Sequence, residues 1–513
     1  MATEAIDGRP EAGGGAVQLR RNLRLWQVLG LSVGLMAPSM AISINPQGAV
    51  AAVGRAIPLS FAIAMVGALL VAYGFSRLSQ HFHNSGSVLG LVGATLGPRA
   101  GLVAGWCLSG TYLLFALLTA VTAGIFGTSL LQAVGAVGGA PAWLAYTIGG
   151  VMIIGAGACA AVPTKRATDL ILSCEAVTLT LIVVAAAAVL VALSGRSGPG
   201  HLPVTLSVFV PARGTTASNV FLGVVFGFLS FGGFEAAATL GGEAARPRRD
   251  IPRALVATVA VMGVFYVVVS AVEVMGFGTS KAGLAHFASS PALLGTLGRI
   301  YVAHWFGDLI IAGTVVSAFG CSMASCVGAS RLVYSYARDG IGRRSFLARL
   351  SARSATPVRA VGVVIAAQFL VAVALAGVVQ ATPLEAFAWT GELATLLLLV
   401  AYGLVTIGAI RFLFVAPARR GHPRPVARGE VVIPLAGVVL IAYTLYRNVI
   451  PYPAGAAAWL PAIAAAWLLL VLLFVVARPE PSRRLGAELV TDEGMEAVPE
   501  ERGKGRRPVV SGP

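Results

Sequence analysis

NVFLGVVFGFLSFGGFEAAATLGGEAARPRRDIPRA, residues 219–254, is the stretch whose reading decides how this chain folds. Its first part is apolar for about twenty residues, enough for a helix to cross the hydrocarbon core of a bilayer. Ser230, Gly232 and Gly233 then gather where a span is normally most apolar. Glycine costs a helix interior roughly 1 kcal/mol, so the helix should break there. Glu235 follows directly. A carboxylate at membrane depth is costly in lipid, so it should face a cavity or a partner and mark a pathway. Arg246, Arg248, Arg249 and Arg253 close the stretch and set this end on the cytoplasmic side.

Composition agrees with a membrane setting. The 513 residues have a mean hydropathy of +0.84, with 57% hydrophobic and 11% charged side chains, too little polar surface for a soluble body of this size. The lipid bilayer is therefore the first partner. A formal charge of +16 does not point to nucleic acid, because the arginines sit between apolar spans rather than on one soluble face; they read as topogenic charge. Cys107, Cys159, Cys174, Cys321 and Cys326 lie inside apolar spans without ligand-like spacing, and the histidines are scattered over loops and span edges. No metal, cofactor or catalytic constellation is expected. The chain also lacks a G-x-x-x-x-G-K-S/T run, which argues against ATP-driven transport.

Residues 1–24 read as a disordered cytoplasmic segment and 479–513 as a disordered, charged cytoplasmic tail. Between them, residues 25–478 hold twelve apolar spans, at about 26–52, 57–75, 101–131, 143–162, 167–193, 217–240, 255–277, 305–336, 360–379, 384–412, 431–446 and 457–476. Residues 281–299 read as a short helical lid. With both termini inside, Arg55, Arg196, Arg213, Lys281, Arg299 and Arg447 fall outside and the other basic residues inside, the bias expected of this topology. The first span carries its own interruption. Pro38 removes a backbone donor and clashes with the preceding turn, so a break is expected between Met36 and Met40.

Phe231, Phe234, Glu235, Glu243, Pro247, Arg248, Arg249, Ile251, Pro252, Arg253 and Ala254 form a pattern that resembles the sixth transmembrane helix of the amino acid, polyamine and organocation (APC) superfamily. Arg331, Tyr334, Arg338, Asp339 and Gly340, followed by Thr356 and Pro357, resemble that family's R-x-x-Y-x-x-x-R-D-G segment. The stretch from Ser76 through the L-G-P-R-A-G run is similar to its second and third helices, with Arg77, Leu78 and His83 where the family carries Glu-Leu and Pro in the hinge. The resemblance implies an all-α polytopic fold with five-plus-five inverted repeats, about 25–195 and 217–413, and two added helices at about 430–477. Paired broken helices at matching places in two halves point the same way, to a site near the bilayer midplane.

A broken helix leaves N–H and C=O groups without partners, and in lipid such a break persists only where protein, water or a ligand satisfies them. A zwitterion supplies both complements, its carboxylate meeting amides at a helix N-terminus and its ammonium meeting carbonyls. The expected function is secondary active transport of amino acids or related small amines by alternating access; a polyamine or amine exchanger and a non-transporting nutrient sensor are the alternatives. Carried over by resemblance, the first-helix G-x-G turn falls on Ala37, Pro38 and Ser39, beside Met36, and the sixth-helix carbonyl donors fall on Ser230, Phe231 and Gly232, beside Gly233. Pro38 has no N–H, so Ser39 must compensate with its amide and hydroxyl. Tyr112, Phe228, Leu229 and Phe234 are candidate gate or pocket residues, and Leu229 stands where some basic amino acid exchangers place a large aromatic. Glu235, then Glu175, are the candidates for proton coupling. Sodium held by first-span carbonyls with Ser317 or Ser322 is the less favoured coupling ion, since those serines fit close helix packing equally well.

Overall fold

In the computed structural model the structure describes residues 24–82, 87–139, 141–162, 165–195, 202–239, 244–341, 346–351, 356–416 and 426–492. Among the described residues the chain is all-helical, and eleven helical stretches are long and apolar enough to cross a membrane. The first of these, Leu25–His81, runs for 57 residues, more than twice the roughly 20 that one crossing needs. It divides into α1 (Leu25–Met36), α2 (Pro38–Val53) and α3 (Ile57–His81). Counting it as two crossings gives the expected twelve. The expected disorder of 1–23, the His83 hinge position and the Glu243 motif position lie outside the described residues.

After the short α4 (Val88–Leu96) come α5 (Pro98–Ala133), α6 (Ala142–Ala161) and α7 (Lys165–Ser194). The deciding stretch forms α8 (Ala217–Phe231) and the one-turn α9 (Ala236–Thr239), and α10 (Pro247–Phe277) follows. Two short helices, α11 (Lys281–Ser289) and α12 (Leu293–Tyr301), lead to α13 (His304–Tyr336). The bundle ends with α14 (Val358–Val373), α15 (Pro383–Ile410), α16 (Val432–Val449) and α17 (Trp459–Ala477).

Burial sorts these helices into centre and rim. The best span window of α5 is 78% buried, whereas that of α14 is 17% buried, so α5 is surrounded by protein and α14 turns most of its surface to lipid. Helices α6, α7, α16 and α17 also carry rows of exposed Val, Leu and Ile, such as Val151, Val177, Val439 and Leu473. In water such surface would drive aggregation; against acyl chains it is matched. Inside the bundle, small residues set the helix spacing. A Cβ on Gly124 of α5 would stand 2.0 Å from the Ala145 carbonyl oxygen of α6, so the two backbones touch as only glycine permits.

Polar side chains fasten the ends. Gln47 of α2 donates to the carbonyls of Phe287 and Ser290, seating the expected lid helix α11 on the end of α2. Arg299 pairs with Asp308 at 2.7 Å. At the opposite end of α3, Arg77 pairs with Glu430, which also accepts from Tyr73 at 2.7 Å. The indoles of Trp106 on α5 and Trp467 on α17 stack at 4.8 Å, and each donates its N–H to the other's backbone carbonyl.

One expectation is overturned. The tail does not lose structure at 479: Pro479–Asp492 forms a further helix, α18, packed against α4 and α5. Its charges dominate the composition, but Ser482, Leu485, Leu489 and Val490 are buried. Their spacing of three, four and one residues puts them on one helical face. Residues 493–513 lie outside the described residues.

Candidate functional site

Both expected breaks exist. Between α1 and α2 a single residue, Ala37, takes φ 45° and ψ 57°, the left-handed region that costs an L-residue roughly 1–2 kcal/mol. Its neighbour explains why. The proline ring of residue 38 disfavours the right-handed helical region for residue 37, while Pro38 fits the first turn of α2, where its missing N–H has no helical partner to lose. In the other broken helix, α8 stops at Phe231 and the chain turns through Gly232, Gly233 (φ 107°), Phe234 and Glu235 before α9.

The two breaks are laced to each other. Ser32 of α1 donates its hydroxyl to the Phe234 carbonyl at 3.0 Å, and Asn45 of α2 donates its side-chain N–H to Ser230 Oγ at 2.7 Å. Gly233 lies against the end of α1, where an added Cβ would meet Leu35 O at 3.1 Å. Between the breaks is a cavity of about 20 Å³, lined by Met36, Met40, Ala41, Asn45, Phe115, Leu118, Thr119, Leu229, Gly232 and Cys321. That volume is room for about one water.

Asn45 gives the cavity its polar character. Ser230 Oγ donates to the Phe226 carbonyl at 3.1 Å, so toward Asn45 it must accept, which orients the amide with Nδ2 on Ser230. The Asn45 carbonyl oxygen is then a buried acceptor with no partner. Helices α1 and α8 also end here, and a helix C-terminus carries partial negative charge on its last carbonyls. One N-terminus, that of α2, points the other way. Its Ser39 N–H and Oγ–H donate to Glu175 Oε1 and Oε2 at 2.9 and 3.0 Å. Ser317 of α13 lies within interaction range of Glu175 but makes no hydrogen bond of good geometry.

Glu235 is 3% exposed. Its Oε2 accepts from Tyr402 of α15 at 2.6 Å and from the Gly233 amide at 3.0 Å. The Tyr402 ring packs edge to face with Phe75 and Phe234, which also meet each other, with centroids 5.4–6.0 Å apart.

The decisive comparison is with the amino acid permease family, whose model matches residues 23–476. The chain belongs to that family. Among its relatives the permease is 27% identical to an uncharacterized transporter of Mycobacterium tuberculosis, over 68% of this chain and 74% of that one. It is 24% identical to the branched-chain amino acid permease BcaP of Bacillus subtilis, over 64% and 70% of the two chains. It is also 24% identical to the low-affinity putrescine importer PlaP of Escherichia coli, over 66% and 72%.

Of the residues singled out in the sequence, Met36, Leu229 and Gly232 line the permease's cavity. Ala37, Pro38, Ser39, Ser230, Phe231 and Gly233 form the breaks around it without lining it. Phe228, Phe231 and Phe234 are wholly buried among helices, and Tyr112 packs against Gly328 of α13. Glu175 and Glu235 are not among the residues lining the cavity; Glu175 accepts from Ser39 of α2, and Glu235 from Gly233 of the second break and from Tyr402 of α15. Ser322, considered for sodium, donates to the Ala116 carbonyl at 2.9 Å and ties α13 to α5. Sequence reading missed Asn45, Ser32 and Tyr402. Asn45 and Tyr402 left a signal, being isolated polar groups in apolar runs that need a partner once buried.

Proposed function

We propose that this permease is a secondary transporter that moves amino acids or related small amines across the cytoplasmic membrane by alternating access, coupled to protons as symport or exchange, with both termini in the cytoplasm. The observation that carries the reading is the meeting of two helix breaks at one buried cavity, with an unpartnered Asn45 acceptor on its wall. A break in each of two spans is expensive in lipid, and a transport site between rocking helices is the use that repays it. The cavity is smaller than any amine with several carbon atoms, so loading requires the surrounding helices to part, as alternating access demands. The branched-chain and putrescine carriers among the relatives support a small nitrogenous solute.

Glu235 is the coupling group in this reading. It sits on the unwound turn of α8, so a change in its protonation changes the bonds to Gly233 and Tyr402 that hold the break in shape. Purified protein in proteoliposomes should accumulate a labelled amine or amino acid when the outside is acidified, with no requirement for sodium. Glu235→Gln should remove the stimulation by the pH gradient. Sodium-dependent uptake, or stimulation unchanged in the variant, would refute the coupling assignment.

A further inference from the structure

We infer that Glu175 occupies the place where the carboxylate of an amino acid would bind, and that the permease therefore selects amines lacking a carboxylate. The inference rests on the transport reading above and names the substrate class of the same site. An α-amino acid bound between broken helices needs amide donors at a helix N-terminus for its carboxylate. Pro38 and Ser39 open α2. Pro38 has no N–H at all. Ser39 gives both its amide and its hydroxyl to the two oxygens of Glu175, a paired arrangement of the kind a ligand carboxylate would make. The Ser43 hydroxyl adds no donor, since it is turned back to the Ser39 carbonyl at 2.7 Å. The Ser39 donors at the anion-binding end of the broken helix are thus taken by the protein's own carboxylate, delivered from α7, 136 residues away in sequence.

The rest of the site suits a cation. The Asn45 carbonyl oxygen is buried and unpartnered, and the C-terminal ends of α1 and α8 turn their negative poles toward the same space. Among the cavity-lining residues none is charged and most are apolar, which fits an ammonium group on a short hydrocarbon. A ligand carboxylate would have to expel Glu175 from Ser39 and leave its carboxyl group buried without those donors, which is disfavoured.

The test compares decarboxylated pairs: isopentylamine with leucine, phenethylamine with phenylalanine, and putrescine with ornithine. Binding is measured by calorimetry and thermal shift on the full-length protein in nanodiscs, so that it does not depend on transport. The amine of each pair should bind at least tenfold more tightly than its amino acid. Glu175→Ala frees the Ser39 donors and should narrow that ratio about 10- to 100-fold, the worth of one or two hydrogen bonds to a charged group. Glu175→Gln still fills the position and should keep the preference. Equal or tighter binding of the amino acids by the wild type, binding of none of the six, or a ratio unmoved by Glu175→Ala in folded protein would each overturn the inference; if Glu175→Ala does not fold, the wild-type pairs alone decide. Amine binding without uptake would sink the transport reading and leave this one standing, whereas uptake of amino acids in preference to amines would do the reverse.

Discussion

Gly233→Ala should separate backbone shape from everything else at the site. At φ 107° a side chain forces strain of about 1–3 kcal/mol, and the new Cβ also meets Leu35 O at 3.1 Å and Leu35 C at 3.2 Å. The neighbour here is the backbone of α1, not a flexible side-chain tip, so it cannot swing away. Gly97 provides the matched control, because it holds φ 112° with nothing within 4 Å of an added Cβ. Gly97→Ala should lose stability while keeping uptake. Gly233→Ala should lose comparable stability and also shift the end of α1 at Met36, on the cavity wall. If the strained shape is the transport-competent one, a cost of about 1–3 kcal/mol lowers uptake roughly 5- to 150-fold at about 1.4 kcal/mol per decade. Initial rates in proteoliposomes, beside thermal unfolding of the same preparations, measure both. Full uptake in Gly233→Ala with stability lowered as in Gly97→Ala would refute the claim that this turn shapes the site.

Three further outcomes follow from buried groups. Tyr402→Phe keeps the aromatic packing around Glu235 but removes a 2.6 Å hydrogen bond, so unfolding should ease by about 1.5–3 kcal/mol and the pH profile of uptake should move; an unchanged melting curve and profile would dissociate Tyr402 from Glu235. Glu273 of α10 is fully buried with neither oxygen partnered among the described residues, and a polar group in that position costs about 1–3 kcal/mol. Glu273→Leu should therefore raise thermal stability, and a fall would mean that the carboxyl is solvated or used. Leu489→Asp should release α18 from α4 and α5, exposing residues 479–492 to protease and removing roughly 1.5–3 kcal/mol of apolar burial.

The breaks were legible because their causes are local. Pro38 and the Gly232–Gly233 pair disrupt a helix through their own backbones, whatever surrounds them, and the structure puts the interruptions at Ala37 and after Phe231. The partners of those breaks were not legible. Glu175 reaches Ser39 across 136 residues and Tyr402 reaches Glu235 across 167, and no spacing rule connects groups so far apart. Sequence alone left Ser39 free for a ligand; folding gives its donors to Glu175. The tail helix failed for a different reason, since composition weighs each charge equally whereas a helix needs only a few apolar residues on one face to dock.

The reciprocal Trp106–Trp467 contact supplies the permease with a built-in optical gauge. Two indoles stacked at 4.8 Å sense each other's excited states, and a slide of α17 along α5 would alter their emission without any attached dye. Because α5 also contributes Phe115, Leu118 and Thr119 to the cavity wall, the same signal reports whether the peripheral helices travel with the central one or stay still when a solute is taken up.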